Sequence, residues 1–243
     1  MKILAIDTST AYASIAVASN DFIAAEVLIN TDRTLSARLV PEIMRLLATA
    51  GIAITDIDLF ASSIGPGSFT GVRGGVATIQ GLALATGKPC AGFSSLAMLA
   101  MNVSHSAALV CPMLDARKSE VYAALYDCST TEPTPLISDC VLPPAHFLDL
   151  IAATTKEQVV FLGEGVRRYH DHISEQMGDR AVFVPFPLHA PRAANGILLA
   201  LKSCRQGLLL DPSQLLPVYL RASDAELVKL NRTLHCIPPS ITQ

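Results

Sequence analysis

The glycine-rich stretch SSIGPGSFTGVRGG, residues 62–75, is the part of this sequence whose residue types most directly suggest chemistry. A helix is predicted to begin at Thr70-Gly71, and a helix that follows a glycine turn presents free backbone N–H groups to phosphates and other anions. The stretch matches no named nucleotide motif, because its glycines are spaced G-x-G-x-x-x-G around Pro66 and no G-K-[ST] is present. It also lacks the G-x-S-x-G frame of a hydrolase nucleophile.

Two aspartates that end predicted strands form a second candidate site. Asp7-Thr8-Ser9-Thr10 follows the first strand, and Asp115 ends the corresponding strand of the second half. Such a turn can offer backbone and hydroxyl donors to a phosphate while its aspartate organises a metal ion. The same side chains can instead satisfy the local backbone of a hairpin, and the residues alone favour neither interpretation. In the second turn, Ala116 and Arg117 carry side chains where a phosphate hairpin needs glycine, which argues against a complete ATP clamp.

The sequence predicts neither a metal site nor a disulfide. Its six histidines include no H-x-x-x-H or H-E-x-x-H pattern. Its six cysteines include no C-x-x-C pair, and we expect them to be reduced and mostly buried.

The composition predicts a folded protein of one or two domains. Of its 243 residues, 51% are hydrophobic and 16% are charged, which excludes a disordered chain. The formal net charge is −3 and no run of Lys or Arg occurs, so a strong nucleic-acid footprint is not predicted. No apolar segment reaches the roughly 18 residues of a membrane span, and the N-terminus does not resemble a signal peptide. We therefore expect a cytoplasmic protein without a membrane partner.

Hydrophobic patterning predicts the same series of elements in each half, namely three strands, a helix, a strand and a helix. Strands are predicted at 2–6, 13–19, 22–29 and 58–64, and again at 109–116, 119–127, 135–142 and 159–165. The repeat indicates an α/β protein with two duplicated lobes of mixed sheet, the actin-like ATPase or ribonuclease-H-like fold. We expect an N-terminal lobe at 1–105, a C-terminal lobe at 106–222 and a loose tail at 223–243.

The helix after the glycine loop carries a continuous stripe of small residues. Their spacings of three and four place them on one helical face, and they are Gly71, Gly74, Thr78, Gly81 and Ala85. An internal glycine costs roughly 1 kcal/mol relative to alanine in a helix, so we expect the bare surface to serve close packing. The packing partner is either the helix at 36–50 of the same lobe or a helix of another subunit. Val72, Val76, Ile79 and Ala83 fall on a different face, which suits packing on the sheet.

Several segments together resemble the TsaB family. They are ILAIDTST near the start, GPGSFTGVR followed by GLALATGKP, DARKSEVY opening the second half, GEGVRRY, and PVYLR near the end. The matching segments run from residue 2 to about 221. The resemblance implies a two-lobe actin-like fold and a non-catalytic subunit of the machinery that makes threonylcarbamoyladenosine in tRNA.

The resemblance also implies partners and a binding surface. The expected partner is the catalytic subunit TsaD, which transfers threonylcarbamoyl from its adenylate to adenosine 37 of tRNAs that read ANN codons. The ATPase TsaE docks on the pair, tRNA is reached through the complex only, and the isolated protein can form a homodimer. The family's dimer uses the first two helices, which implies an interface at Leu39, Ile43 and Leu47, together with Gly71, Arg73, Gly74, Thr78, Gly81 and Ala85. The resemblance implies that this subunit requires no cofactor. It leaves room for weak binding of ATP or ADP at the partner interface.

One departure from the family pattern falls at the first helix, where Leu35-Ser36-Ala37 replaces His-Ser-Glu. Two other functions are weighed against the scaffold. An active actin-like ATPase or phosphotransferase would use Asp7, Thr8, Ser9, Thr10 and Asp115 as a nucleotide cleft. A peptidase would need a nucleophile paired with a base, or a metal motif, and this sequence shows neither.

Overall fold

The computed structural model describes residues 1–30 and 35–221, with the side chains of 35–37 left out. The predicted tail at 223–243 and the side chains of the Leu35-Ser36-Ala37 departure therefore lie outside the described residues. The strands of the first half are β1 (Lys2–Asp7), β2 (Tyr12–Ser19), β3 (Phe22–Asn30), β4 (Leu59–Gly65) and β5 (Cys90–Ser94). Its helices are α1 (Leu35–Ala50), α2 (Phe69–Thr86) and α3 (Ser95–Ala100).

The second half repeats the series. Its strands are β6 (Leu109–Arg117), β7 (Glu120–Asp127), β8 (Thr134–Leu142), β9 (Val159–Leu162) and β10 (Ala181–Phe183). Its helices are α4 (Pro144–Thr154), α5 (Glu164–Arg168), α6 (His170–Met177) and α7 (Ala193–Arg205). The predicted strand at 159–165 ends early because Gly163, with φ of 104°, turns the chain directly into α5.

The two sheets share one topology. The first has the order β3-β2-β1-β4-β5 and the second the order β10-β9-β6-β7-β8. In each sheet the first strand pairs antiparallel with the second and parallel with the fourth. This repeat confirms the predicted α/β fold of two duplicated mixed-sheet lobes.

Helices cover both faces of the first sheet, which explains why β1 is apolar throughout. Leu4 and Ile6 point into a core shared with α1 and α2. Ile3 and Ala5 point to the opposite face, into a core shared with α7. A strand buried on both faces reads as a continuous hydrophobic run, as KILAI does.

Helix α7 crosses back to the first lobe although it belongs to the second half of the chain. Its N-terminus is held by β3 and β2, since Glu26 accepts hydrogen bonds from Arg192 and from the Ala194 amide. Ser14 accepts a third bond from the Ala193 amide at 2.8 Å. The predicted boundary between residues 105 and 106 separates the two lobes along the sequence. Helix α7 lies after this boundary in the sequence, but it packs on the sheet of the first lobe.

Among the described helices, none combines the length and apolar character that crossing a membrane requires.

Candidate partner-binding face and inter-lobe cleft

A cleft of about 870 Å³ opens between the first hairpins of the two lobes. Ser9 and Thr10 reach it from the first hairpin, and Asp115 and Arg117 reach it from the second. The glycine loop before α2 forms one wall of the cleft, and residues 218–221 form another. The fold thus brings together most of the residues that the sequence suggested for a nucleotide cleft.

Helix α2 covers the first hairpin turn. The Thr8 hydroxyl donates to the Gly71 carbonyl at 2.7 Å, and the Ser68 amide donates to the Ser9 carbonyl at 2.7 Å. A Cβ on Gly71 would lie 2.1 Å from the Thr8 carbonyl oxygen, and one on Gly67 would lie 2.3 Å from that of Ser9. Asp7, Thr8 and Ser9 are consequently buried, and Thr10 is the half-buried member of the turn. Thr8, Thr10 and one oxygen of Asp7 bond the local backbone, as the second interpretation of this turn describes, whereas the Ser9 hydroxyl has no such bond.

The Asp7 carboxyl lies in an environment that disfavours charge. Burial raises its pKa, while the hydroxyls of Ser63 and Ser9 beside it offset part of that rise. Its Oδ1 accepts a long bond of 3.3 Å from the Ser9 amide, and its Oδ2 has no well-formed hydrogen bond. A carboxyl held in this way is poorly suited to organise a metal ion beside a phosphate.

The second hairpin directs its aspartate toward a cation of the same lobe. Asp115 accepts from the Arg168 guanidinium at 2.7 Å and from the Arg117 amide at 2.9 Å. The turn runs through Arg117, Lys118 and Ser119, all with positive φ, so the prediction was right to include Arg117 and wrong to include Ala116. Ala116 is buried in β6, and a side chain still stands where a phosphate hairpin has glycine.

Glu164 lines the cleft, and both Asp115 and Asp7 are close enough to act on its carboxyl group. Burial raises its pKa, as do the nearby charges of Asp115 and Asp7, whereas Arg117 acts in the opposite direction. In the part of the chain that the structure describes, no group of three or more His, Cys, Asp or Glu side chains could hold a metal ion.

Helix α2 begins and ends as its sequence dictates. Ser68 caps the N-terminus by accepting from the Gly71 amide, and Gly87, with φ of 66°, ends the helix in the left-handed conformation. The predicted sheet-facing residues Val72, Val76, Ile79 and Ala83 are all buried.

Most of the small-residue stripe faces outward. A Cβ on Gly74 or Gly81 would meet nothing within 4 Å. Thr78 is half-buried and donates to the Gly74 carbonyl, and Ala85 is exposed. Gly71 differs, because its missing side chain allows close contact with Thr8 inside the lobe. The structure therefore corrects the assignment of Gly71 to the partner interface.

Three further assignments to that interface are wrong for a related reason. Leu39, Ile43 and Leu47 are buried in the core beneath α1, so their side chains are not available to another subunit. The sequence pattern identified the apolar face of α1 correctly, but that face packs on the sheet. The outward face of α1 carries Val40 and Met44 instead.

Arg73 is exposed but engaged within the chain. Its guanidinium lies 3.9 Å from the centre of the Phe69 ring and donates to the Tyr219 hydroxyl at 2.6 Å. Tyr219 belongs to residues 215–221, which we call the strap. The strap also forms hydrogen bonds with two strands. The Val218 amide donates to the Ile64 carbonyl of β4 at 2.8 Å, and Arg221 donates to Glu120 of β7 at 2.8 Å.

The fold and the covered hairpins define a class of protein: an actin-like, two-lobe α/β protein with an outward-facing bare helix beside the cleft. The TsaD family model, described as tRNA N6-adenosine threonylcarbamoyltransferase, matches residues 23–229. The tRNA threonylcarbamoyladenosine biosynthesis protein TsaB of Bacillus subtilis (strain 168) is 31% identical over 226 residues, or 93% of this chain and 96% of that protein. The TsaB protein of Escherichia coli (strain K12) is 40% identical over 128 residues, 52% of this chain and 55% of that protein.

A solved structure extends the similarity to the fold. It is described as an uncharacterized protein with similarity to peptidase YEAZ from Pseudomonas aeruginosa. It is 30% identical with a TM-score of 0.77, and the match covers 90% of this chain and 99% of that one. The chain belongs to the TsaB family.

Proposed function

We propose that this protein is the non-catalytic scaffold subunit that supports threonylcarbamoyl transfer to adenosine 37 of tRNAs reading ANN codons, by binding a TsaD-type catalytic subunit. Family membership supports a role in tRNA threonylcarbamoyladenosine biosynthesis. The observation that carries the binding role is the open stripe on α2, where Gly74 and Gly81 leave the helix backbone uncovered. Small residues at such a surface allow a second helix to approach closely.

The geometry of the cleft supports a subunit without activity of its own. An ATPase would need an ionised carboxylate and open backbone donors at the phosphates, whereas Asp7 is buried and α2 covers its turn. A peptidase needs a histidine bonded to a nucleophile. Among the described residues, His105 does lie 3.2 Å from a hydroxyl, that of Thr131, but the pair is exposed and lies outside the cleft. His170 contacts Asp171, and His189 accepts from the Gly163 amide, so neither activates a nucleophile.

The remaining partners belong to the same proposal. The face of α1 and α2 exposes Val40, Met44 and Leu84, so the isolated protein has an apolar surface through which it can form a homodimer. A TsaE-type ATPase joins the pair, and tRNA is bound through the complex. The subunit itself needs no cofactor, and weak binding of ATP or ADP would occur at the partner interface.

The test is the variant Gly81→Leu, co-expressed with a TsaD-type subunit of the same organism. A leucine at this open position fits the isolated protein but prevents close approach of a second helix. We expect co-purification to be lost, and the modification to disappear from the tRNA of cells that depend on the variant. Ala153→Leu, which places the same leucine side chain on the exposed surface of α4, is the control and should leave both unchanged.

An intact complex with Gly81→Leu would overturn the proposed interface. An intact complex is interpretable because the variant should remain folded, which circular dichroism and thermal unfolding of the isolated protein would establish.

A further inference from the structure

The strap lies along one side of α2 for most of the length of the helix. Near the C-terminal half, Gln80 donates to the carbonyls of Pro212 and Leu215, both at 3.0 Å. Near the N-terminus, the Tyr219 ring lies 5.0 Å from the Phe69 ring, with Arg73 against both. Leu215 is fully buried in the core under α2, and it anchors the strap to the first lobe.

The outward face of α2 therefore lies between two neighbours. Helix α1 packs over β2 and β3, on one side, and the chain leading into the strap pairs with β5, on the other. Thr70, Ala77 and Leu84, spaced by seven residues, form the exposed midline of α2 between them. The strap exposes apolar side chains of its own next to α2. Tyr219 lies against Phe69 and Arg73 at the mouth of the cleft, and Leu216 and Val218 are 63% and 48% exposed.

The outward faces of the two helices supply much of a standard interface. Helices of 16 and 18 residues, at about 1.5 Å per residue and about 10 Å in width, have a flat footprint of roughly 500 Å². A standard protein interface buries about 800 Å² of accessible surface on each partner, and accessible surface exceeds a flat footprint because side chains project from it. An adjoining apolar element would extend this face, and the strap adjoins α2 on the side away from α1.

We propose that the strap is the third component of the docking surface, so that a TsaD-type subunit contacts α1, α2 and residues 216–219 together. This inference rests on the proposed function. Tyr219 is suited to such a contact because Arg73 and Phe69 already fix its ring, so binding costs little further ordering of the side chain. Leu216 supplies an apolar side chain that is 63% exposed and that a bound subunit would cover.

The experiment measures the affinity of the complex for the full chain and two matched variants. Leu216→Asp places a charge in the strap. Leu208→Asp places the same charge at a leucine that is 61% exposed, in the turn after α7, which packs on the opposite face of the first sheet. We expect Leu216→Asp to weaken binding at least about tenfold, as loss of an apolar anchor does, and Leu208→Asp to bind like the unaltered protein. Tyr219→Ala should weaken binding as well.

Gly81→Leu, measured in parallel, separates this inference from the proposed function. If Gly81→Leu loses the partner while Leu216→Asp and Tyr219→Ala bind normally, the strap is not part of the surface and the proposed function survives. If all three bind normally, the proposed interface itself is wrong. If Leu216→Asp disrupts only self-association of this chain, seen by analytical ultracentrifugation, the strap serves a second copy and the inference is overturned. Both charged variants alter exposed positions, so thermal unfolding should detect no loss of fold.

Discussion

At the scale of single residues, Asp7 shows how a position typical of catalysis can serve structure. Burial raises its pKa, so the folded protein holds a proton that the unfolded chain releases. As the pH rises above about 3.9, the ordinary pKa of aspartate, the Asp7 carboxyl ionises first in the unfolded state. The free energy of unfolding therefore falls with pH until the raised pKa is passed, and it stays lower beyond that point.

The variant Asp7→Asn removes this ionisation while keeping the shape of the side chain. We expect it to raise the free energy of unfolding at neutral pH, because the neutral amide removes the cost of burying an ionised carboxylate. We also expect its stability to change less with pH than that of the unaltered protein. Chemical denaturation between pH 4 and 8 would measure both effects. Asp21→Asn, at an exposed turn, makes the same change in net charge and is the control. A loss of stability at neutral pH would show that Asp7 is stabilising as a carboxylate.

At the scale of elements, most of the helices and strands could be predicted from the sequence. The sequence predicted that a helix begins at Thr70-Gly71, and the structure has α2 at Phe69–Thr86. The break at Tyr169, which separates α5 from α6, was missed because a single interrupted turn leaves the periodicity intact. The role of the strap was missed because it forms no regular element and its contacts are with residues about 100 to 150 positions away. Only family resemblance marked that segment.

The sequence also could not show which glycines of α2 lie at the open surface and which allow close contact inside the lobe. A Cβ on Gly71 or Gly75 would lie 2.1 or 2.3 Å from Thr8 atoms, whereas one on Gly74 or Gly81 would meet nothing within 4 Å. We expect Gly74→Ala and Gly81→Ala each to stabilise the isolated protein by about 0.8–1 kcal/mol through helix propensity. Gly71→Ala and Gly75→Ala should each destabilise it by about 1–3 kcal/mol through overpacking. Thermal unfolding of the four variants would contradict this division if all four shifted in the same direction.

At the scale of the whole molecule, the lobes are joined by more than the covalent chain. Asp139 of β8 accepts from Ser94 of the first lobe and from Tyr126 of its own lobe, each at 2.5 Å. Burial raises the pKa of Tyr126, as does the Asp139 carboxylate, so the phenol stays protonated as a donor. The Arg221 and Glu120 pair ties the strap to the second lobe at the far side of the cleft. These contacts tie α2 and the strap of one side of the cleft to the hairpin of the other.

The crossing of α7 predicts how the lobes depend on each other for folding. A fragment of residues 1–105 contains every strand of the first sheet but lacks α7, which covers one face of that sheet with Ala193, Ile197 and Ala200. Without the helix, the apolar side chains that it buries would face water, and they are Ile3, Ala5, Ala16, Ala18, Leu59, Ala61, Ala91 and Phe93.

We therefore expect the 1–105 fragment to aggregate or to lack a cooperative thermal transition, because the exposed face removes much of the apolar burial that stabilises so small a unit. Joining residues 190–221 to the fragment through a flexible linker should restore a cooperative transition, since it returns α7 and the strap to the first sheet. The same joined fragment with Ala200→Asp, which buries a charge under α7, is the control and should fail to fold. A soluble, cooperatively folding 1–105 fragment would show that the first lobe is a domain by itself and that α7 merely rests on it.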